Sequence, residues 1–209
     1  MPIKRVRGDG KRSMDCMDLD EMRETALSSE TIYDGSIIKV EKDTVRLPDG
    51  NTSIREVVRH PGGVSVCAID HDLNVYFVRQ FRYPFGEVLL ELPAGKIDKD
   101  GENPYDAAMR ELKEETGLVA SDLVSLGQIY SSVGFCDEVI HMYMAVNIEQ
   151  QEQCLDEGEF VKVEKMPIAT AVQMVIRGEI TDAKTVASLL KAYIILDQLQ
   201  QQYEEQAQV

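Results

Sequence analysis

The stretch that most constrains this chain is a helix whose two ends are both marked in the sequence. Asn103 is a favourable N-cap, and Pro104 suits the first helical position. Gly117 readily adopts the left-handed conformation that ends many helices. The sequence therefore predicts a helix over residues 104–116.

Turning each residue by about 100° along this helix separates three sides. Arg110 falls on a solvated side, where it reads as a surface charge. Glu111, Glu114 and Glu115 share another side, and like charges at these spacings repel one another. Either this side is a solvated acidic face, or divalent cations such as Mg²⁺ lie among the carboxylates. The remaining side is expected to pack on the body of the protein and carries Tyr105, Ala108, Met109, Leu112 and Thr116.

The residues around the helix match a known motif. Gly95 lies in a Pro-Ala-Gly loop, and Glu102 immediately precedes the N-cap. The pattern resembles the Nudix box, Gly-x5-Glu-x7-Arg-Glu-U-x-Glu-Glu-x-Gly-U, in which U is a bulky aliphatic residue. Six residues rather than five separate Gly95 from Glu102, which leaves the spacing of the helical carboxylates unchanged. The other fixed positions all match, at Glu102, Arg110, Glu111, Leu112, Glu114, Glu115, Gly117 and Leu118.

Further segments within residues 31–195 resemble the ADP-ribose pyrophosphatase branch of this family. That branch usually has Pro in a Ser-Pro-Gly sequence where this chain has Val133, a departure that bears on substrate preference. The resemblance implies a homodimer in which an N-terminal hairpin reaches the partner's site. The alternative is a hairpin that only covers a sheet edge. The resembling segments are 55–62, 78–84, 134–138 and 178–185.

The resemblance also implies a metal site. Glu111 and Glu115 are expected to be the principal ligands, and Glu114 joins them when substrate is bound. The carbonyl of Ala94 is expected to complete the set. The implied cofactor is Mg²⁺, with Mn²⁺ as a possible substitute.

Three further residues receive catalytic roles from the resemblance. Glu138 follows a glycine-containing loop at the position of a candidate general base, although a solvated acid at a loop end is the alternative. Glu102 is expected to orient Arg110 or a metal-bound water. Arg110 is expected to tie the preceding loop to the helix.

The candidate substrate-binding residues are arginines and aromatic residues. Arg55 and Arg82 suit a phosphate or a base edge, because guanidinium groups form paired hydrogen bonds. Arg79 is a third candidate, or alternatively caps a sheet edge. Phe135 is a candidate for stacking on adenine, as are Phe81 and Tyr83, for which local packing is the alternative.

Composition narrows the classes of partner and compartment. There are 22 Lys and Arg residues against 37 Asp and Glu, a formal net charge of −15, which disfavours nucleic acid binding. No apolar run is long enough to span a bilayer, so no membrane partner is expected. The cysteines form no CxxC pair, which favours the reducing cytoplasm, and they are Cys16, Cys67, Cys136 and Cys154.

The order of predicted elements indicates an α+β fold of the Nudix type. A mixed sheet is expected between helices in an α/β/α sandwich, preceded by an N-terminal antiparallel hairpin region. Strands are predicted over 37–47, 52–59, 64–69, 75–81, 88–92, 123–130 and 139–146, and helices over 167–177 and from about 182.

Four segments follow from this reading. Residues 1–28 are predicted to be a mobile charged arm, with a short helix near 18–27. Residues 29–60 form the hairpin region, which is expected to serve dimerisation and substrate contact. Residues 61–197 form the hydrolase domain. Residues 198–209 are a polar tail that is expected to fray.

The expected reaction is Mg²⁺-dependent hydrolysis of the pyrophosphate link of ADP-ribose to AMP and ribose 5-phosphate. One alternative keeps the chemistry and changes the substrate to another nucleoside diphosphate sugar, such as GDP-mannose. A second alternative is a sensor that binds nucleotide sugars without cleaving them. The glutamate cluster disfavours the sensor, because binding alone does not need it.

Overall fold

The computed structural model describes residues 19–97, 99, 101–155 and 158–207. In these ranges no helix has the length and apolar character needed to cross a membrane. Most of the predicted N-terminal arm, residues 1–18, lies outside the described residues, and so does Cys16.

The N-terminal region is a sheet of three antiparallel strands in the order β1-β2-β3. The predicted hairpin is confirmed as β2 (Lys39–Arg46) and β3 (Thr52–Arg59), and Gly50 takes a positive φ of 86° in its turn. Strand β1 (Thr25–Asp34) was not predicted, and it places the boundary at residue 28 inside a strand. A short 3-10 helix, Leu19–Met22, lies within the region where a helix was predicted. Strand β1 is exposed along its whole length, so its sequence does not need the alternation of apolar and polar residues that marks a half-buried strand. Backbone pairing with β2 holds it in place.

A second sheet of four strands supports the site. Its order is β7-β4-β9-β8, and the pairing of β4 with β9 is parallel whereas the other pairs are antiparallel. The predicted mixed sheet is therefore confirmed. The strands are β4 (Gly63–Ala68), β7 (Ala94–Lys96), β8 (Leu118–Tyr130) and β9 (Val139–Gln150).

The third sheet contains β5 (Asn74–Arg82), β6 (Glu87–Glu91) and β10 (Val161–Pro167), in the order β10-β5-β6. Sequence reasoning missed β10, in which charged residues alternate with apolar ones at an edge position. It also missed β7, which has three residues and is too short to show a period.

Helices pack on both sides of these sheets, as an α/β/α sandwich requires. Helix α1 (Pro104–Thr116) has the predicted bounds and forms one core cluster with β4 and β8. Helices α2 (Ile168–Ile176) and α3 (Ala183–Ala207) form a second cluster with β5 and β9. The fold is α+β.

The C-terminal tail that was predicted to fray is helical over most of its length in the described residues. Helix α3 continues to Ala207, although its residues from 197 to 206 are exposed. Side-chain hydrogen bonds one turn apart, Gln201 to Asp197 at 2.8 Å and Gln200 to Glu204 at 2.9 Å, support this polar part. Glutamine and glutamate are also good helix formers, so polarity alone did not indicate fraying.

Candidate active site

Helix α1 is fixed at both ends by the predicted caps. The side-chain oxygen of Asn103 accepts a hydrogen bond from the backbone N–H of Asp106 at 3.0 Å. Gly117 has a φ of 72°, and its N–H donates to the Lys113 carbonyl at 2.8 Å. These local contacts fix where the helical carboxylates stand.

The acidic side of this helix faces inward. The exposed fractions of Glu111 and Glu115 are only 8% and 2%, and Ala107 on the same side is fully buried. Glu114 is partly buried. A solvated acidic face is therefore excluded for Glu111 and Glu115.

The loop before the helix lies in contact with these carboxylates. The backbone N–H of Ala94 donates to Oε2 of Glu115 at 2.9 Å. A Cβ atom on Gly95 would lie 2.0 Å from Cδ and Oε1 of Glu111, so any larger residue there would displace the Glu111 carboxylate from its present position. The longer loop after Gly95 does not prevent this contact.

Arg110 does not point away from the glutamates, so its interpretation as a surface charge is wrong. Its guanidinium donates two hydrogen bonds to Glu102, at 2.8 and 2.9 Å, as expected if Glu102 orients it. It also donates to Glu111 at 2.6 Å, to Glu114 at 2.8 Å and to the Lys96 carbonyl at 3.2 Å. The three glutamates, Glu102 foremost, raise the pKa of Arg110. A helical projection gives the direction of Cβ only, and a long side chain reaches beyond it.

Burial shifts the titration of both inward-facing glutamates. Burial raises the pKa of Glu111, although Arg110 opposes the shift. Burial raises the pKa of Glu115 to about 8; the Ala94 amide opposes this, and the charges of Glu111 and Glu159 add to it. In the metal-free protein, ionised carboxylates here are unfavourable.

A cavity of about 580 Å³ opens beside this pair of carboxylates. Its lining includes residues from helix α1, from β7, from the position just after β3 and from the first turn of α3. Residues with charged or titratable side chains in its lining include His60, Arg82, Glu91, Glu111, Glu115, Glu138, Glu159, Asp182 and Lys184.

Glu138 is among the residues that line this cavity. Its Oε1 lies 3.4 Å from Nδ1 of His60, which also lines the cavity. The neighbouring Asp137 holds the loop against the end of β3, because it accepts hydrogen bonds from the His60 N–H at 2.9 Å and from Arg59 at 3.1 Å. The loop that carries Glu138 is thus anchored to the end of β3, and Glu138 lines the same cavity as Glu111 and Glu115.

The predicted substrate-binding arginines fall in three different places. Arg82 lines the cavity, where its guanidinium binds Glu91. Arg79 lies on the middle strand of the third sheet and does not line this cavity, and its Nε lies 3.0 Å from Glu164 on the neighbouring β10. Arg55 binds Glu24 at 3.0 Å and lines a second cavity.

This second cavity, also of about 580 Å³, lies between β3 and the loop before β9. Phe135 and Val133, both exposed, line it together with Arg55. The structure of one chain therefore separates Arg55 and Phe135 from the cavity that holds Glu111 and Glu115.

Several residues of the first cavity were missed by sequence reasoning. Glu91 precedes the Leu-Pro-Ala-Gly sequence directly, and its burial has no local signal. His60 and Lys184 lie in segments that carried the family resemblance, but their chemistry drew no attention. Glu159 lies between β9 and β10, in a stretch with no pattern.

The donor set is compatible with a divalent cation. Among the described residues, no three His, Cys, Asp or Glu side chains converge as a preformed metal site. Arg110 binds Glu111 and Glu114 directly. Even so, Glu111 and Glu115 are buried carboxylates with raised pKa values, and a hard cation that takes oxygen ligands would stabilise their ionised forms.

Comparison with known families identifies the chain. A family model described as the NUDIX domain matches residues 59–189, which include helix α1 and the loop before it. The chain belongs to the Nudix family. A second model, the nucleoside diphosphate sugar hydrolase N-terminal domain, matches residues 24–58, which carry β1 to β3 except for Arg59. The protein is thus a Nudix nucleoside diphosphate sugar hydrolase, in a family that generally needs divalent metal ions.

The chain is also similar to individual proteins over most of its length. The chain is 38% identical to an ADP-ribose pyrophosphatase of Bacillus subtilis, over 82% of this chain and 93% of that protein. It is 40% identical to a methanol dehydrogenase activator of Bacillus methanolicus, over 79% of this chain and 90% of that protein. A crystal structure described as an ADP compounds hydrolase has the same fold, with a TM-score of 0.74 and 23% identity, over 85% of this chain and 96% of that one.

The contact of Gly95 with Glu111 yields a prediction for this Nudix site. Gly95→Ala forces a methyl group into the carboxylate, so we expect the free energy of unfolding in urea to fall by roughly 1–3 kcal/mol. Gly134→Ala is the matched control, because a Cβ there meets nothing within 4 Å and we expect no loss. Equal stability of the two variants would contradict the close approach.

The buried Glu115 predicts how the stability of the metal-free protein depends on pH. Its pKa rises from 4.5 to about 8 on folding, so its contribution to stability is fully present below pH 4.5 and is lost as pH rises through about 8. Each pKa unit corresponds to about 1.4 kcal/mol, so we expect the wild type to lose several kcal/mol relative to Glu115→Gln between pH 5 and 9 in EDTA. Parallel curves from urea unfolding of the two proteins would contradict this.

Proposed function

We propose that this Nudix enzyme hydrolyses the pyrophosphate bond of ADP-ribose, with Mg²⁺ as cofactor, to give AMP and ribose 5-phosphate. The observation that carries the proposal is the inward-facing pair Glu111 and Glu115, buried on a cavity that also contains Arg82 and Lys184. Such a cavity offers anionic oxygens for cations and cationic groups for phosphates. The B. subtilis relative, whose name states ADP-ribose as its substrate, supports the choice of sugar.

Glu111 and Glu115 are the residues that would hold the cation, with Glu114 and the Ala94 carbonyl as further oxygen donors. When bound, such a cation supplies charge neutralisation between carboxylates and phosphates and lowers the pKa of water. The protein holds the two carboxylates in place by burial and by the Ala94 N–H.

The other residues position groups and accept a proton. Glu138 acts as the general base that takes a proton from the attacking water, from a loop fixed by Asp137. Arg110 keeps its bonds to Glu102 and so ties the loop before the helix to the helix itself. Most of the rate enhancement then comes from positioning and charge neutralisation.

We further propose a homodimer in which Arg55 and Phe135 act at the partner's site. Within one chain these residues line a different cavity from Glu111 and Glu115. The strand β1 is exposed throughout, with Ile32 and Tyr33 among its uncovered apolar residues. A second copy that covers this sheet would bury them.

A cytoplasmic location is part of the same proposal. The described cysteines, Cys67, Cys136 and Cys154, are all free thiols. Free thiols of this kind are typical of a reducing compartment.

A second candidate substrate is another nucleoside diphosphate sugar such as GDP-mannose. Val133 favours it, because this exposed residue stands where the ADP-ribose branch usually has Pro, and it lines the same cavity as Arg55 and Phe135. A panel of ADP-ribose, GDP-mannose, NADH and diadenosine polyphosphates decides between the two. Faster cleavage of the guanine sugar would replace ADP-ribose as the substrate.

Loss of either buried carboxylate is expected to abolish most activity. Glu111→Gln and Glu115→Gln keep the shape and remove the charge, so we expect kcat for ADP-ribose with Mg²⁺ to fall by about 10³-fold or more. EDTA is expected to have the same effect on the wild type. Glu149→Gln, an exposed site on β9, is the control and should retain full activity. Cleavage in EDTA, or near-normal activity of Glu115→Gln, would contradict the proposal.

The homodimer predicts complementation between two inactive variants. Arg55→Ala and Glu115→Gln each impair every site of their own dimer. In mixed dimers one site combines an intact Arg55 with an intact Glu115, so about a quarter of wild-type activity should return after random exchange of subunits. No recovery, with subunit exchange verified by mass spectrometry, would show that Arg55 does not act across the dimer.

A further inference from the structure

A buried carboxylate joins two cations on the lining of the active-site cavity. Glu91, at the end of β6, is only 1% exposed. The Arg82 guanidinium donates to both of its oxygens, at 2.6 Å from Nε and 2.7 Å from Nη2. The Lys184 ammonium donates to Glu91 as well, and to Asp182 at 2.9 Å. We call these four residues the Glu91 network.

The Glu91 network is rigidly attached to the fold. Asp182 caps helix α3, because its Oδ2 accepts a hydrogen bond from the Thr185 N–H at 3.0 Å. The hydroxyl of the fully buried Thr185 in turn accepts from the Leu92 N–H at 2.9 Å. The first turn of α3 is thereby fixed to the strand end that carries Glu91.

The charges in the Glu91 network are maintained by their partners. Burial alone would raise the pKa of Glu91, but Arg82 and Lys184 outweigh it and lower the pKa. The bonds to Glu91 also raise the pKa of Arg82. Buried ion pairs of this kind seldom add stability beyond what apolar side chains of the same volume would give, so stability does not explain the arrangement.

Donors remain available after the internal bonds are made. Among the described residues, Nη1 of Arg82 has no hydrogen-bond partner, while Nε and Nη2 are used by Glu91. An ammonium group has three N–H donors, and Lys184 uses two of them, for Glu91 and Asp182. All four residues line the cavity that holds Glu111 and Glu115. An anion in this cavity would therefore meet two cations held in fixed positions.

We infer that Lys184 is a substrate-binding residue for the diphosphate, alongside Arg82, and that Glu91 is a positioning residue that holds both cations. The inference rests on the proposed function for its ligand class, a nucleoside diphosphate. Glu91 itself is too buried to serve as a binding group, so it acts through Arg82 and Lys184. Pre-positioned cations reduce the ordering that binding otherwise requires.

Lys184 is tested by binding of a methylene-bridged analogue of ADP-ribose, which is not cleaved, measured by calorimetry with Mg²⁺. We expect Lys184→Gln to weaken binding about tenfold or more and Lys184→Arg, which keeps the charge, to restore most of the affinity. The matched control is Glu164→Gln. This substitution removes the carboxylate partner of Arg79, which lies on the same strand as Arg82 but does not line the cavity. Wild-type affinity in Lys184→Gln, or an equal loss in the control, would overturn the inference.

Glu91 is tested by a double-mutant cycle with the same analogue. We expect Glu91→Gln to weaken binding, and to weaken it less when Lys184 is already Gln, because part of its effect runs through Lys184. In turnover assays the loss should appear mainly in KM rather than in kcat. Independent, additive effects of the two substitutions would show that Glu91 does not position Lys184.

Stability is followed separately, because Glu91→Gln leaves two buried cations with a weaker partner. If thermal unfolding shows that this variant is not folded, Glu91→Asp replaces it, since it keeps the charge and withdraws the carboxylate by one methylene. Glu91→Asp is then expected to weaken binding, and unchanged affinity would overturn the positioning role. A wild type that binds the analogue without cleaving ADP-ribose would refute the proposed function, and the affinities of the Lys184 and Glu91 variants would still decide the inference. No binding by the wild type would overturn both.

Discussion

The structure depends on holding two carboxylates next to each other away from water. Glu111 and Glu115 lie one turn apart on α1 and are almost fully buried. Burial of ionised groups is strongly unfavourable unless partners compensate. In this protein the compensation is partial: Arg110 binds Glu111, and the Ala94 N–H binds Glu115. The fold thus keeps a site in which a cation is the best remaining partner.

Features that depend on neighbouring residues were predictable from the sequence. The ends of α1 are set by Asn103, Pro104 and Gly117, which act within one turn, and the predicted and observed bounds agree. The β2–β3 hairpin was equally local, because its turn residues adjoin its strands. The spacing of the glutamates followed from the helix, but the sequence left open whether they face water or the interior.

Features that depend on distant residues were not predictable. The contact between Lys184 and Glu91 joins residues 93 positions apart. The same holds for β10, which forms an edge strand only because β5 lies beside it. The prediction that Arg110 is a surface charge failed for another reason. A helical projection describes the backbone and not the reach of a long side chain. Within one chain Arg55 lines a different cavity from Glu111 and Glu115, so its contact with a nucleotide depends on how two chains assemble.

The attachment of Gly95 and Glu102 to the helix has a consequence for changes in the length of the loop between them. Gly95 rests on Glu111, and Glu102 is bound by Arg110, so the stretch between them is held at both ends. The one additional residue in this stretch leaves both attachments intact. An insertion in this stretch that kept both attachments would alter the rim of the cavity, which Lys96 and Lys99 line, while Glu111 and Arg110 kept their contacts.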